Sequence, residues 1–288
     1  MRYDQDHESP DLIDERGQSN GPRMAGASGL LGLLPLLLRF RFGWVIIVLV
    51  LGYGFVRNFV GGGARSVANT AVTAKGADAP RHFVGFVLDD AQATWQKIFA
   101  QNGQTYRNAK LVLFTDVTST GCGTGEAQAG PFYCPLDEHV YIDLAFYNEL
   151  AERFGARGDF AEAYVIAHEI GHHVQKQLGL SARVDRASKA QRVGPNGLSV
   201  RLELQADCFA GIWARSTNQR NLLDTGDIQE ALGAASAVGD DHIQRQTNGA
   251  VRPETWTHGS AEARARWFQN GFEGGTLQAC DTFTASNL

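Results

Sequence analysis

His168 and His172 stand four residues apart, with Glu169 directly after the first, in the stretch His168-Glu169-Ile170-Gly171-His172. On a helix this spacing puts both imidazoles on one face, one turn apart, where they can converge on a single metal ion. Glu169 sits one position round the helix, able to reach a water on that metal without ligating it. The chemistry such a set could do is hydrolysis. A divalent metal lowers the pKa of its water toward about 7, and a neighbouring carboxylate takes the proton. His173 points about 100° away from His172, which makes it a solvated residue or one lying behind the metal ligands.

Two imidazoles do not complete a catalytic site, which needs a third protein ligand and an open position for water. Glu203 and Asp207 share a face at i and i+4 of a helix expected over 198–215. Glu203 is placed to ligate the metal, and Asp207 to accept a hydrogen bond from the far nitrogen of His168 or His172, fixing its tautomer. Leu202, Leu204, Ala206, Cys208, Phe209, Ala210, Ile212 and Trp213 make that helix apolar nearly all round. Carboxylates buried there need a cation. His258, ahead of a helix starting near Ser260, is the candidate donor to a developing oxyanion as a catalytic residue, with Tyr164 next. Asp240, Asp241 and His242 read as a solvated face.

The elements that must position these groups follow from periodicity. A helix over 83–102 ends at Gly103, a strand runs over 110–117, and a second β pattern covers 139–144. The Gly-rich stretch 121–130 between them is either an edge strand that pairs with extended substrate or a plain loop. Asp159 with Glu162 begins the helix that carries the histidines, and Gly179 ends it.

The stretch 167–175, together with Glu203-Leu204-Gln205-Ala206-Asp207-Cys208, resembles the membrane-anchored neutral zinc metallopeptidases of bacteria. So do the blocks 231–244 and 257–268, and the likeness covers nearly the whole chain. It implies a zincin-like fold, peptide hydrolysis, and Zn2+ held by His168, His172 and Glu203 in the manner of thermolysin, with Glu169 as general base. The pattern His-Glu-x-x-His alone also admits another divalent metal.

Residues 30–76 carry five basic residues and no acid, and the run from Phe42 to Val56 has no charge at all. A bilayer core needs about 20 helical residues, so a span is expected at 42–62, with a cleaved signal peptide as the competing reading. All four cysteines, Cys122, Cys134, Cys208 and Cys280, lie after it, as a disulfide-forming compartment would produce. Cys122 and Cys134 are the local pair; buried thiols are the alternative.

The expected fold class is therefore α+β, a zincin-like metallopeptidase domain that is mainly helical with a small sheet, preceded by a single transmembrane helix. The domains are a polar N-terminal segment at 1–41, the span at 42–62, a linker at 63–80 and the metallopeptidase domain at 81–288. The expected location is a single-pass membrane one, with the catalytic domain extracytoplasmic. The expected partners are a peptide or unfolded protein as substrate and membrane lipid through the N-terminal helix. A net charge of −5 over the 288 residues argues against a nucleic-acid partner. No Gly-x-Ser-x-Gly elbow or phosphate-binding Gly-Lys-Ser/Thr motif is present, so serine hydrolases and P-loop enzymes have no support. The alternative to a peptidase is a membrane-tethered, non-catalytic binding or regulatory protein on the same scaffold.

Overall fold

The computed structural model describes residues 1–17 and 78–288. A four-stranded sheet has the order β1 (Leu12–Asp14), β2 (Lys110–Phe114), β6 (His139–Asp143) and β5 (Phe132–Cys134). β1 and β6 both run parallel to β2, while β5 is antiparallel to β6 and forms the end of the sheet. The Gly-rich stretch folds as a separate hairpin of β3 (Val117–Thr120) and β4 (Gly123–Glu126), which among the described residues pair only with each other. The strand expected over 110–117 breaks after Phe114 because Asp116 takes a positive φ of 61° and turns the chain.

The helices are α1 (Ala79–Gln101), α2 (Ala145–Glu152), α3 (Asp159–Gln177), the short α4 (Ser181–Asp185) and α5 (Lys189–Arg192), α6 (Leu198–Gln219), α7 (Asp227–Ala237), α8 (Asp240–Asn248) and α9 (Ala261–Gly274). One apolar core joins α1, α3, α6, α7 and α9 to the inner face of the sheet, through Leu88, Trp95, Leu111, Ile142, Ile166 and Phe209. Trp213 of α6 stacks on Phe160 of α3, with centroids 5.4 Å apart. α6 and α9 touch backbone to backbone: a Cβ at Gly211 would run into the Phe268 carbonyl, and one at Gly271 into that of Cys208. Cys208 is bonded to Cys280 and Cys122 to Cys134, and among the described residues no cysteine is free.

The first residues belong to this body. Leu12, Ile13 and Asp14 pair with Leu111, Val112 and Leu113, and the Met1 ammonium lies 2.8 Å from Asp159 and 3.3 Å from Asp227. A three-residue strand has no period to read, so the sequence reading set this segment apart from the domain.

The expectation of a transmembrane helix, and of a single-pass membrane location, is corrected. Among the described residues no helix is long and apolar enough to cross a membrane. The two longest fail because their turns carry charge: α1 holds Arg81, Asp89, Asp90 and Lys97, and α6 holds Arg201, Glu203, Asp207 and Arg215. The segment 42–62 lies outside the described residues. The fold class is α+β, mostly helical with a small sheet.

Candidate metal centre and cleft

α3 and α6 cross with Gly171 against Ala206, which brings the histidines of one helix to the carboxylates of the other. The ligand atoms of His168, His172 and Glu203 all lie within 4.8 Å of one another. His168 Nε2 is 3.2 Å from one Glu203 oxygen, and His172 Nε2 is 3.5 Å from the other.

The opposite ring nitrogens are held by oxygens. His168 Nδ1 is 2.8 Å from Asp207 Oδ1, and His172 Nδ1 is 2.9 Å from Gln175 Oε1. The Gln175 amide nitrogen donates to the Leu202 carbonyl at 2.7 Å, so its oxygen is the end facing His172 and can only accept. Nδ1 therefore carries the proton in that ring, and its Nε2 lone pair faces Glu203. Two unprotonated nitrogens opposite a carboxylate are acceptors facing acceptors, an arrangement that needs protons or a metal cation between them. The electrostatics agree. Burial works against charge at all three residues, yet the carboxylates of Asp207 and Glu203 lift His168 to about 9, and Glu203 lifts His172. The imidazoles of His172 and His168 hold Glu203 well below the usual carboxylate range. The donor set of two nitrogens and one carboxylate oxygen fits zinc.

Asp207 is fully buried and fully bonded. Arg264 of α9 grips it through Nε and Nη2, each at 2.9 Å, and the Tyr164 hydroxyl donates to it as well. With Arg264 beside it the Asp207 carboxyl stays below its ordinary range despite burial. The Tyr164 hydroxyl is thus engaged by Asp207. Gln175 and Arg264 were not anticipated: Arg264 lies 57 residues from its partner, while Gln175, three residues after His172, was within reach of a same-face argument.

Glu169 and His258 line the same cleft as the three clustered residues, together with Tyr133 and the 128–131 segment. Burial pushes the Glu169 carboxyl up, against the pull of His172 and His168. His258 stands on a turn built round Asp240, whose Oδ2 accepts from the backbone N–H groups of Thr257, His258 and Gly259 at 2.7 to 2.9 Å. Asp240 Oδ1 is 3.2 Å from His258 Nδ1, and this contact raises the imidazole above its ordinary range. Asp241 accepts from the Ala261 N–H at 2.7 Å. Asp240 and Asp241 are therefore supports for that turn, where the sequence reading had a solvated face.

A profile of the family described as "Putative neutral zinc metallopeptidase" matches residues 1–283. The chain belongs to that family. It is similar to the protein named "Uncharacterized protein YpfJ" from Escherichia coli strain K12, 43% identical over 295 residues that cover 99% of this chain and 100% of the relative. It is also similar to "Uncharacterized protein Rv2575" from Mycobacterium tuberculosis strain H37Rv, 43% identical over 227 residues, 74% of this chain and 75% of that one. No solved structure matches. The match spans both the N-terminal strand β1 and the helices α3 and α6.

Proposed function

We propose that this member of the neutral zinc metallopeptidase family hydrolyses peptide bonds in peptides or unfolded proteins, with Zn2+ as cofactor. The observation that carries the reading is the orientation of His168 and His172, both turned with Nε2 toward Glu203, beside a cleft carboxylate, Glu169, that is absent from the ligand set. The metal, when bound, supplies Lewis acidity and a water acidic enough to ionise near neutral pH.

The protein's residues do the rest. Asp207 and Gln175 fix the ligand rings, and Arg264 holds Asp207 ionised. Glu169 takes the proton of the attacking water and returns it to the leaving amine, and its burial brings its basicity closer to working pH. His258, steadied by Asp240, donates to the oxygen that gains charge. The non-catalytic alternative gives Glu169 no task, since a purely structural metal site needs no carboxylate outside its ligand set.

The test is hydrolysis of an unfolded protein by the purified full chain, before chelation, after it, and after zinc is restored. The proposal expects cleavage that stops and returns. Cleavage untouched by chelation, or none with one zinc bound per chain, overturns it.

A further inference from the structure

His173 takes no part in the mechanism above, yet it is fully buried one residue after His172. A polar ring in that position is costly unless bonded. Its Nε2 lies 2.7 Å from the Arg107 carbonyl oxygen and 2.8 Å from the Gln177 amide nitrogen. Its Nδ1 shares a hydrogen bond with the Tyr133 hydroxyl, 2.9 Å away. The ring thus joins α3, the residues leading into β2, and β5.

β5 is the end strand of its sheet, three residues long and paired on one side with β6. Its side chains alternate. Phe132 stacks on Tyr141, with centroids 5.1 Å apart, and Cys134 is tied to Cys122. Tyr133, turned the other way, is its reach toward α3. The segment 128–131 that runs into β5 lines the cleft together with Tyr133, Glu169 and the clustered metal-binding residues.

We infer that Tyr133 and His173 form a positioning pair, which holds the end strand β5 and its 128–131 rim at a fixed height over Glu169 so that an extended peptide lies across the site. An end strand can take up an extended chain through main-chain hydrogen bonds. Its ladder to β6 and the Cys122–Cys134 bond hold β5 on one side, and the Tyr133–His173 contact fixes its far face. The pair acts on substrates long enough to reach β5. This rests on the peptidase reading, for the extended ligand is its substrate.

The test uses the zinc-loaded full chain in a Glu169→Gln background, so that peptide binding is measured without turnover. A labelled unstructured decapeptide and a capped dipeptide are compared with and without Tyr133→Phe. The pair predicts that Tyr133→Phe weakens decapeptide binding about tenfold, the scale of one hydrogen bond, while dipeptide binding and zinc content hold. His173→Gln, which keeps an acceptor and a donor, retains more decapeptide affinity than His173→Leu. In the chain that keeps Glu169 and turns over, Tyr133→Phe raises KM for long peptides and leaves kcat unchanged. Unchanged decapeptide affinity, equal loss for both peptides, or loss of zinc overturns the inference. Decapeptide binding sensitive to Tyr133 in a chain that never hydrolyses would sink the peptidase reading and leave the pair standing.

Discussion

A Cβ added to Gly171 of α3 would stand 3.0 Å from the carbonyl oxygen of Ala206 in α6 and 3.1 Å from its Cα. The proposed metal centre depends on that contact, because His168 and His172 flank Gly171 on one helix while Glu203 and Asp207 flank Ala206 on the other. Gly171→Ala forces two helix backbones apart by a few tenths of an ångström at the point where they hold the ligands together. We expect a stability loss of about 1–3 kcal/mol, the scale of overpacking, and weaker zinc binding. Urea unfolding and zinc titration check this; unchanged values for both would show that the crossing has slack.

Arg264→Met removes the cation from a fully buried pair and leaves Asp207 unbalanced. Breaking such a pair costs about 3–5 kcal/mol. Because Asp207 also orients His168, zinc affinity should fall about 10- to 100-fold, as when a partner of a metal-ligating histidine is lost. Denaturation and competition with a chelating dye read the two effects separately.

Glu162, in the first turn of α3, supplies a pH dependence. Burial, and then the nearby Asp159 charge, raise its carboxyl from 4.5 to about 7. The folded state therefore binds this proton more tightly than the unfolded chain does. The associated stability is complete below 4.5 and is lost as pH rises through 7. Glu162→Gln stays neutral throughout, so it should match the native protein near pH 4 and exceed it at pH 8. Allowing for partial solvation of the carboxyl, the gain is about 1–2 kcal/mol. Unfolding free energies at the two pH values decide it; a destabilised variant at pH 8 would contradict the sign.

The sequence carried the chemistry-bearing helices well because their signals are local. Apolar spacing located α1, α3 and α6 to within a few residues, and His-Glu-x-x-His with Glu203 and Asp207 reads from positions three and four apart. What it could not carry are contacts with no local period. The Met1 ammonium meets Asp159 across 158 residues, and Cys208 finds Cys280 across 72. β5, at three residues, is too short to show alternation. The Gly-rich segment before it supports two readings, and only the hairpin of β3 with β4 decides which part lies near the cleft. The polar turn at Asp240 looked solvated because its partners are backbone N–H groups, which no side-chain pattern records. The uncharged run at 42–56 suggested a span by composition and reached the needed length only when carried past Arg57 to residue 62; that segment lies outside the described residues, and among those no helix is long and apolar enough to cross a membrane.

The central claim is that Glu169 is a proton carrier beside a metal that it does not ligate. The most direct measurement compares the native chain with Glu169→Gln for zinc content and for hydrolysis of an unfolded protein. The account predicts equal zinc, one per chain, in both, and cleavage by the native chain alone. Zinc lost from the variant, or cleavage retained by it, would contradict that role.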